Sequence, residues 1–280
     1  RFYIKNVKSK EIYDTLEIAK NCIFTPAESK YIFQDGKLII SIKVTIVPNL
    51  PIEIRELEIK NIGNEEVTLE ITSYMDVLLS KIKEYYYHPA FNKMFLEFDK
   101  IDGGIVFTRR LRNTNKKKIF VATSLVGESS DLEFEIDKEN FMSRGNFGIP
   151  DSVLNSTPLG KSLAYTINPI VAMRRVINIM PEQNRKVYLV TACGDSKKEA
   201  ESNLSEYVKS ERLNGIFDLA RANAEAEIRF LRLKGENILA YQYILENLLY
   251  PKKENKPNNF ELDLSNERIW KYGISGDKPI

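Results

Sequence analysis

The chain has 280 residues, of which 43% are hydrophobic and 10% aromatic, with 41 Lys and Arg against 39 Asp and Glu. This apolar content at a formal net charge of +2 excludes an intrinsically disordered chain. Balanced charge also gives no long-range field for nucleic acid or an anionic membrane, and no stretch approaches the roughly 18 apolar residues that cross a bilayer. The sequence predicts a globular protein without nucleic-acid partners or direct membrane insertion.

The compartment is predicted from the cysteines and the first residues. Cys22 and Cys193 lie far apart and lack metal-ligand spacing, which favours a reducing environment. The opening residues, RFYIKNVKSK, contain no apolar core of signal-peptide length. We therefore expect a cytoplasmic protein. A start without Met and an end at Ile280 indicate a fragment of a longer polypeptide, whose parent could itself be membrane-associated.

Up to about Gly194 the dominant hydrophobic period is two. The clearest run covers 38–46, where Leu38, Ile40 and Ile42 alternate with polar residues. This alternation is typical of a half-buried strand.

The next apolar runs predict a hairpin. IEIRELEIKNI at 52–62 and the alternation at 67–71 flank an Asn/Gly turn at 61–64. Similar short strands are predicted in KMFLEFD, GIVFTRRL, KIFVATSL, LEFEI, AYTINPIVAMRRVINI and RKVYLVTAC. Strand after strand with short links predicts antiparallel sheets packed in a sandwich.

Residues 137–162 interrupt this pattern. Several Gly and Pro residues punctuate the segment, which predicts a long excursion with short helical turns, and excursions of this length are often functional. Asp137 is predicted to cap a short helix that ends at Gly145. Asp137 and Glu139 are close in sequence, but this does not establish the carboxyl pair that glycoside hydrolysis needs about 5–9 Å apart.

After Cys193 the period changes to 3.6. The Ser196 to Glu199 capping-box pattern begins a first helix at 196–209. A second helix carries an apolar face from Leu213 to Leu231, and a third ends near Tyr250. The predicted division is a β-sandwich domain at 1–194 and a helical linker at 195–280.

Candidate catalytic groups are few. His88 is the one histidine in the chain, and no nucleophile elbow, phosphate-binding Walker loop or H-E-x-x-H zinc motif occurs. We therefore expect no catalytic residue, no metal site and no cofactor.

Residues 83–91, KEYYYHPAF, allow two interpretations. They form either an ordered loop whose Tyr rings cover apolar surface, or a sugar subsite in which Tyr faces stack on pyranose rings and polar groups bond the hydroxyls. The predicted carbohydrate contacts are Tyr86, His88, Arg109 and Arg144.

The arginine pairs also allow more than one interpretation. The basic segment around Arg109 and Arg110 could form a phosphate or nucleic-acid site, but a solvated sheet edge explains it at least as well. Arg174 and Arg175 alternate in the same way, so one should point inward and need a carboxylate partner. Around Trp270, two glycines indicate a hinge or a ligand-touching turn, of which the hinge is favoured.

Seven segments, read in order, resemble the family once called glycosyltransferase family 36 and now placed with glycoside hydrolase family 94. The likeness is greatest to its cyclic β-1,2-glucan synthase and β-oligoglucan phosphorylase branch. The segments are FYIKNVKSKEIYD (2–14), LEITSYMDVLL (69–79), HPAFNKMFLEFD (88–99), TRRLR (108–112), EIDKENFMSRGN (135–146), NPIVAMRRVI (168–177) and WKYGISGDKPI (270–280).

The resemblance implies a mainly β fold with some α: an antiparallel, galactose-mutarotase-like β-supersandwich followed by helices that lead to an (α/α)6 barrel. In phosphorylases of this family the general acid lies in that barrel. The expected function is thus a non-catalytic scaffold that contacts a β-linked gluco-oligosaccharide and supports a downstream catalytic domain of the same polypeptide. The alternatives are a free-standing carbohydrate-binding module or a structural domain that forms a homodimer.

Overall fold

The computed structural model describes residues 1–18, 21–80, 85, 87–111, 117–127, 131–144, 148–208 and 210–250. Within these ranges the chain forms thirteen strands and eight helices. The strands are β1 Phe2–Asn6, β2 Ile12–Asp14, β3 Asn21–Phe24, β4 Ser29–Gln34, β5 Leu38–Ile46, β6 Ile52–Asn61, β7 Val67–Asp76, β8 Leu96–Ile101, β9 Gly104–Arg109, β10 Phe120–Gly127, β11 Glu133–Asp137, β12 Pro169–Ile179 and β13 Asn184–Gly194. The helices are α1 Thr15–Ile18, α2 Pro89–Lys93, α3 Lys138–Met142, α4 Asp151–Leu154, α5 Lys197–Val208, α6 Ser210–Leu213, α7 Ile216–Phe230 and α8 Gly235–Leu249.

The strands form two antiparallel sheets. A five-stranded sheet has the order β11-β12-β7-β1-β2, and an eight-stranded sheet has the order β3-β4-β5-β6-β13-β10-β9-β8. Apolar side chains from the facing sides pack between them, with Leu57 and Ile59 from one sheet and Leu69 and Ile71 from the other. This arrangement confirms the predicted antiparallel sandwich.

The predicted hairpin across residues 61–64 is wrong. β6 pairs with β5 and β13, whereas β7 pairs with β1 and β12 in the other sheet. The side-chain amide of Asn61, which is fully buried, donates to the backbone oxygens of Glu65 (2.7 Å) and Ile179 (3.1 Å) at this crossing. A period of two shows which face of a strand is apolar. It does not show whether the next strand along the chain pairs with it in the same sheet or lies in the facing sheet.

Helices α5 and α6 and the start of α7 cover the outer face of the eight-stranded sheet. Leu204 of α5, Leu213 of α6 and Phe217 of α7 pack with Ile54 and Val190. The predicted first and third helices correspond to α5 and α8, whereas the predicted second helix is divided into α6 and α7.

The capping box predicted at Ser196 is present, but the hydrogen bond that returns from Glu199 goes to the residue before Ser196. The hydroxyl of Ser196 accepts from the Glu199 backbone N–H at 3.1 Å. The Glu199 carboxylate accepts from the backbone N–H of Asp195 at 2.9 Å. Both contacts satisfy amides that would otherwise lack partners at the helix start.

The excursion at 137–162 covers the outer face of the five-stranded sheet. Phe141 and Val153, from α3 and α4, pack against Tyr3, Ile170 and Ala172 of the sheet. The predicted short helical turns are therefore confirmed, and this segment brings polar side chains over one end of the sheet.

The chain divides into two compact units, Arg1–Ala224 and Glu225–Ile280. In the second unit, α8 buries none of its side chains among the described residues, and Leu245 and Leu248 of its predicted apolar face are 54% and 52% exposed. The predicted connector at 252–266 and the turn around Trp270 lie outside the described residues. No helix in the described part of the chain is both long and apolar enough for a bilayer crossing.

Substitution of Gly194 tests the close approach of β13 and α5. A Cβ on Gly194 would lie 2.6 Å from the backbone nitrogen of Ala200, so one element must shift. We expect Gly194→Ala to lower the free energy of unfolding by about 1–3 kcal/mol in urea titrations. Gly36→Ala is the control, because its Cβ would meet nothing within 4 Å. Equal stability of the two variants would contradict this packing.

Candidate functional site

Polar residues gather at one end of the five-stranded sheet. Neighbouring strands run antiparallel, so β1 and β12 begin where β7 and β11 end. This places Tyr3, Asp76, Asp137 and Asn168 close together, although they are far apart in sequence. The sheet topology therefore assembles a site from strand ends.

Two cavities of about 360 Å³ and 690 Å³ open at this end of the sheet. Lys138, Glu139 and Asn168 line both cavities, which together we call the edge cleft. The smaller cavity also contacts Tyr3, Tyr74, Asp76, Met142 and Arg144. The larger also contacts Tyr85, Lys93, Asp137, Tyr165, Thr166 and Ile167. Such volumes are typical of small-ligand sites.

Asp76 is the centre of a charged cluster in the edge cleft. Its carboxylate accepts from Lys93 Nζ at 2.6 Å and from the Tyr74 hydroxyl at 2.9 Å, and Lys138 Nζ lies 3.4 Å away. Lys93 is buried and also donates to Asn168 Oδ1 at 3.1 Å. The cluster thereby fixes the positions of an ammonium and an amide group in the cleft.

The cluster sets the protonation states of its members. Burial raises the pKa of Asp76, but hydrogen bonds from Lys93 and Tyr74 outweigh burial and hold the pKa below its ordinary value. Burial and the neighbouring Asp76 charge raise the pKa of Tyr74. At neutral pH, therefore, Asp76 is an anion and Tyr74 keeps its proton.

The lowered pKa of Asp76 predicts a pH-dependent contribution to stability. This contribution is present above the pKa of an unfolded Asp, about 3.9, and is lost as pH falls through the folded pKa. Because the carboxylate is 46% exposed, we expect Asp76→Asn to cost only about 0.5–1 kcal/mol at pH 7.

Urea unfolding at pH 7 and pH 3 measures this effect, and the difference from the wild type should shrink at pH 3. Asp99→Asn is a matched control, since Asp99 pairs with Lys197 at 3.2 Å with its side chain 66% exposed. A cost for Asp76→Asn that persists unchanged at pH 3 would contradict the ion-pair explanation.

His88 and Arg109, both predicted contacts, are linked through Asn92 of α2, and Arg109 is the last residue of β9. The Asn92 side-chain oxygen accepts from Arg109 Nη2 at 2.6 Å, and its amide donates to the His88 backbone oxygen at 2.9 Å. The His88 ring is exposed and lies 6.5 Å from the ring of Phe91. Neither His88 nor Arg109 is among the described residues that line the edge cleft.

The other two predicted contacts have different positions. Arg144 is exposed and lines the smaller cavity of the edge cleft. Tyr86 lies outside the described residues. The alternative of a solvated sheet edge at Arg109 is wrong, because β9 lies between β8 and β10 and is not an edge strand.

Asp137 has the predicted capping role. Its Oδ1 accepts from the backbone N–H groups of Glu139 (2.7 Å) and Asn140 (3.4 Å) at the start of α3. The helix ends at Met142, with Ser143 at φ 66° as its C-cap, and not at Gly145 as predicted. A side chain committed to two backbone amides is poorly suited to proton transfer.

A pair of buried cations holds the excursion on the sheet. Arg174, which is 3% exposed, donates to the backbone oxygens of Ser152 (2.7 Å) and Thr157 (2.8 Å). Lys5, 1% exposed, donates to the Leu154 backbone oxygen and the Ser156 hydroxyl, both at 2.7 Å. We call Lys5 and Arg174 the cation clamp.

One arginine of the pair points inward, as predicted. The carboxylate partner predicted for it is not its main hydrogen-bond acceptor. Arg174 is buried, but its hydrogen bonds go mainly to backbone oxygens, with the Glu133 carboxylate 4.0 Å away. Arg175 is half-buried and donates to the Leu125 backbone oxygen at 2.5 Å. Carbonyls near the end of α4 lack helical partners and supply acceptors that the sequence pattern does not reveal.

Removing one cation of the clamp tests its role. Lys5→Met keeps the apolar stem but leaves the Leu154 oxygen without its ammonium donor, so we expect a loss of about 1–3 kcal/mol in unfolding free energy. Hydrogen exchange should accelerate at 138–144 and 151–157 while β6 and β13 stay protected.

Lys8→Met is the control for this variant. Lys8 pairs with Glu65 at 2.9 Å with its side chain 81% exposed, so its loss should change stability by less than about 0.5 kcal/mol. Unchanged exchange in the excursion of Lys5→Met would show that the clamp does not hold it.

The sequence prediction missed Asp76, Tyr165 and Asn168. Asp76 and Asn168 were within recognised segments, and each lies at a strand end, which is the signal that could have identified them. Tyr165 carried no local signal, because its position in the cleft depends on contacts with distant residues.

The two packed antiparallel sheets, each covered on its outer face, define a β-supersandwich domain. Residues 2–210 match the family described as the glycosyl hydrolase 94 supersandwich domain. The chain belongs to this family, which confirms the resemblance seen in the sequence.

Individual relatives agree with this assignment. The chain is 23% identical over 266 residues to the cyclic beta-(1,2)-glucan synthase NdvB of Rhizobium meliloti (strain 1021), covering 92% of this chain and 9% of that protein. The chain thus spans less than a tenth of the length of this curated relative. A bacterial glucoamylase crystallised with acarbose matches with a TM-score of 0.51 at 12% identity, over 82% of this chain and 31% of that one. The latter likeness shows the fold alone.

Proposed function

We propose that this chain is the non-catalytic supersandwich region of a β-glucan-active enzyme, either a glycoside phosphorylase or a cyclic β-1,2-glucan synthase. The observation that carries the proposal is the family match over residues 2–210, together with the likeness to a glucan synthase. In this proposal, 1–194 forms the sandwich domain and 195–280 the helical linker to a catalytic domain of the same polypeptide.

Carbohydrate contact is the role proposed for the edge cleft and the adjacent loop. The cleft combines Tyr rings with fixed ammonium, amide and carboxylate groups, which suit the apolar faces and hydroxyl rims of pyranoses. Arg144 would contact the sugar from the smaller cavity, and Tyr86, His88 and Arg109 are the further contacts proposed from the sequence.

Two carboxylates of the cleft, those of Asp76 and Asp137, support a non-catalytic role. A general acid of glycoside cleavage needs a raised pKa, whereas the pKa of Asp76 is lowered. Asp137 is engaged as a helix cap. These two groups therefore serve to position their neighbours.

The test combines turnover and binding. We expect the 280-residue chain to give no sugar phosphate from β-1,2- or β-1,4-linked gluco-oligosaccharides with inorganic phosphate, yet to bind at least one of them in calorimetric titrations. Arg144→Ala should weaken binding about tenfold through loss of a charge-assisted hydrogen bond.

Arg185→Ala is the control: Arg185 is a partly exposed residue near the start of β13 that is not among the described residues lining the edge cleft, and this variant should bind as the wild type does. Appreciable turnover would overturn the non-catalytic role. Absence of binding to every oligosaccharide tested would overturn the carbohydrate contact.

A further inference from the structure

Tyr165 has an unusual combination of exposure and anchoring. Tyr165 is 69% exposed, yet its hydroxyl donates to the backbone oxygen of Met94 at 3.2 Å. A surface Tyr commonly buries its ring and turns its hydroxyl to water. Here the polar end contacts the protein and the ring remains accessible.

The anchored ring lies on the larger cavity of the edge cleft, which has a volume of about 690 Å³. Ile167, 67% exposed, adds apolar surface beside it. Lys93 and Asn168 line the same cavity, and the hydrogen bond between them fixes both polar groups. The cavity therefore offers an accessible aromatic surface and hydrogen-bonding groups held in place.

The charges in the cavity restrict the class of ligand. Lys93 and Lys138 would repel a cation, whereas Asp137 and Glu139 would repel an anion. A neutral ligand with one apolar face and a rim of hydroxyl groups avoids both penalties. A pyranoside has this chemistry.

We infer that Tyr165 is the stacking platform of a subsite for a neutral pyranoside in the larger cavity of the edge cleft. The apolar face of the sugar covers the Tyr165 ring, while Lys93 and Asn168 bond its hydroxyl groups. This inference rests on the proposed carbohydrate contact and extends it to a residue and a ring position. Because the Met94 tether already restricts the ring, little side-chain entropy is lost on binding.

NMR titration of the 280-residue chain with a β-1,2-linked glucose trisaccharide tests the inference. In the wild type, amide resonances of Thr166, Ile167 and Asn168 should shift on binding. Tyr165→Ala should weaken the trisaccharide affinity about tenfold. Tyr165→Phe keeps the ring and loses the tether, so its affinity should fall by less.

Tyr243→Ala is the matched control, because Tyr243 of α8 is 64% exposed and is not among the described residues that line the cavity. It should bind as the wild type does. Thermal unfolding of each variant checks that the sandwich is intact, and Tyr165→Phe supplies the comparison should Tyr165→Ala fail to fold.

The failures of the two proposals are distinguishable. Trisaccharide binding by the wild type with equal affinity in Tyr165→Ala, or with shifts confined to other residues, overturns the Tyr165 platform and leaves the proposed carbohydrate contact standing. Absence of trisaccharide binding by the wild type overturns the Tyr165 platform for this sugar, and only absence of binding to every β-1,2- and β-1,4-linked oligosaccharide overturns the carbohydrate contact as well.

Discussion

The packing of two apolar sheet faces against each other is the constraint on which the rest of this structure depends. Leu57, Ile59, Leu69 and Ile71 are each fully buried between the sheets, and the strands that carry them must keep these apolar positions on the inner side. The strands can therefore end only at the rims of the sandwich. Because adjacent strands alternate in direction, starts and ends of different strands meet there, and their polar residues form the edge cleft.

On the outer face of the five-stranded sheet, hydrogen bonds from two buried cations position the segment that covers it. Burying Lys5 and Arg174 costs desolvation energy, which hydrogen bonds to five protein oxygens offset, counting the Thr72 hydroxyl. Apolar side chains would cover the sheet without specifying where the excursion lies. Directional bonds to particular backbone oxygens determine its position, and through α3 they determine where Arg144 and Glu139 meet the cleft.

The cleft combines features that belong to recognition more than to bond cleavage. Asp76 is ion-paired and Asp137 is engaged as a cap, and the aromatic surface of the cleft is exposed beside fixed polar groups. This is consistent with a supersandwich domain whose relatives are much longer proteins. In the proposed function, this surface holds part of a glucan chain while chemistry proceeds in a catalytic domain of the same polypeptide.

Local sequence patterns were enough to predict strands β5 to β13, the change from a period of two to 3.6 after Cys193, the caps at Asp137 and Ser196, and the family, whereas β1 to β4 were not predicted. The predicted features depend on neighbouring residues, so a local pattern reports them. Only the tertiary structure decided that β6 and β7 belong to different sheets, and that Tyr165 is tethered to Met94, 71 residues away. It likewise joined Lys5 to Leu154 across 149 residues. An alternating strand specifies which face is buried but not its partner, and a hydrogen bond between distant residues leaves no periodic trace in either segment.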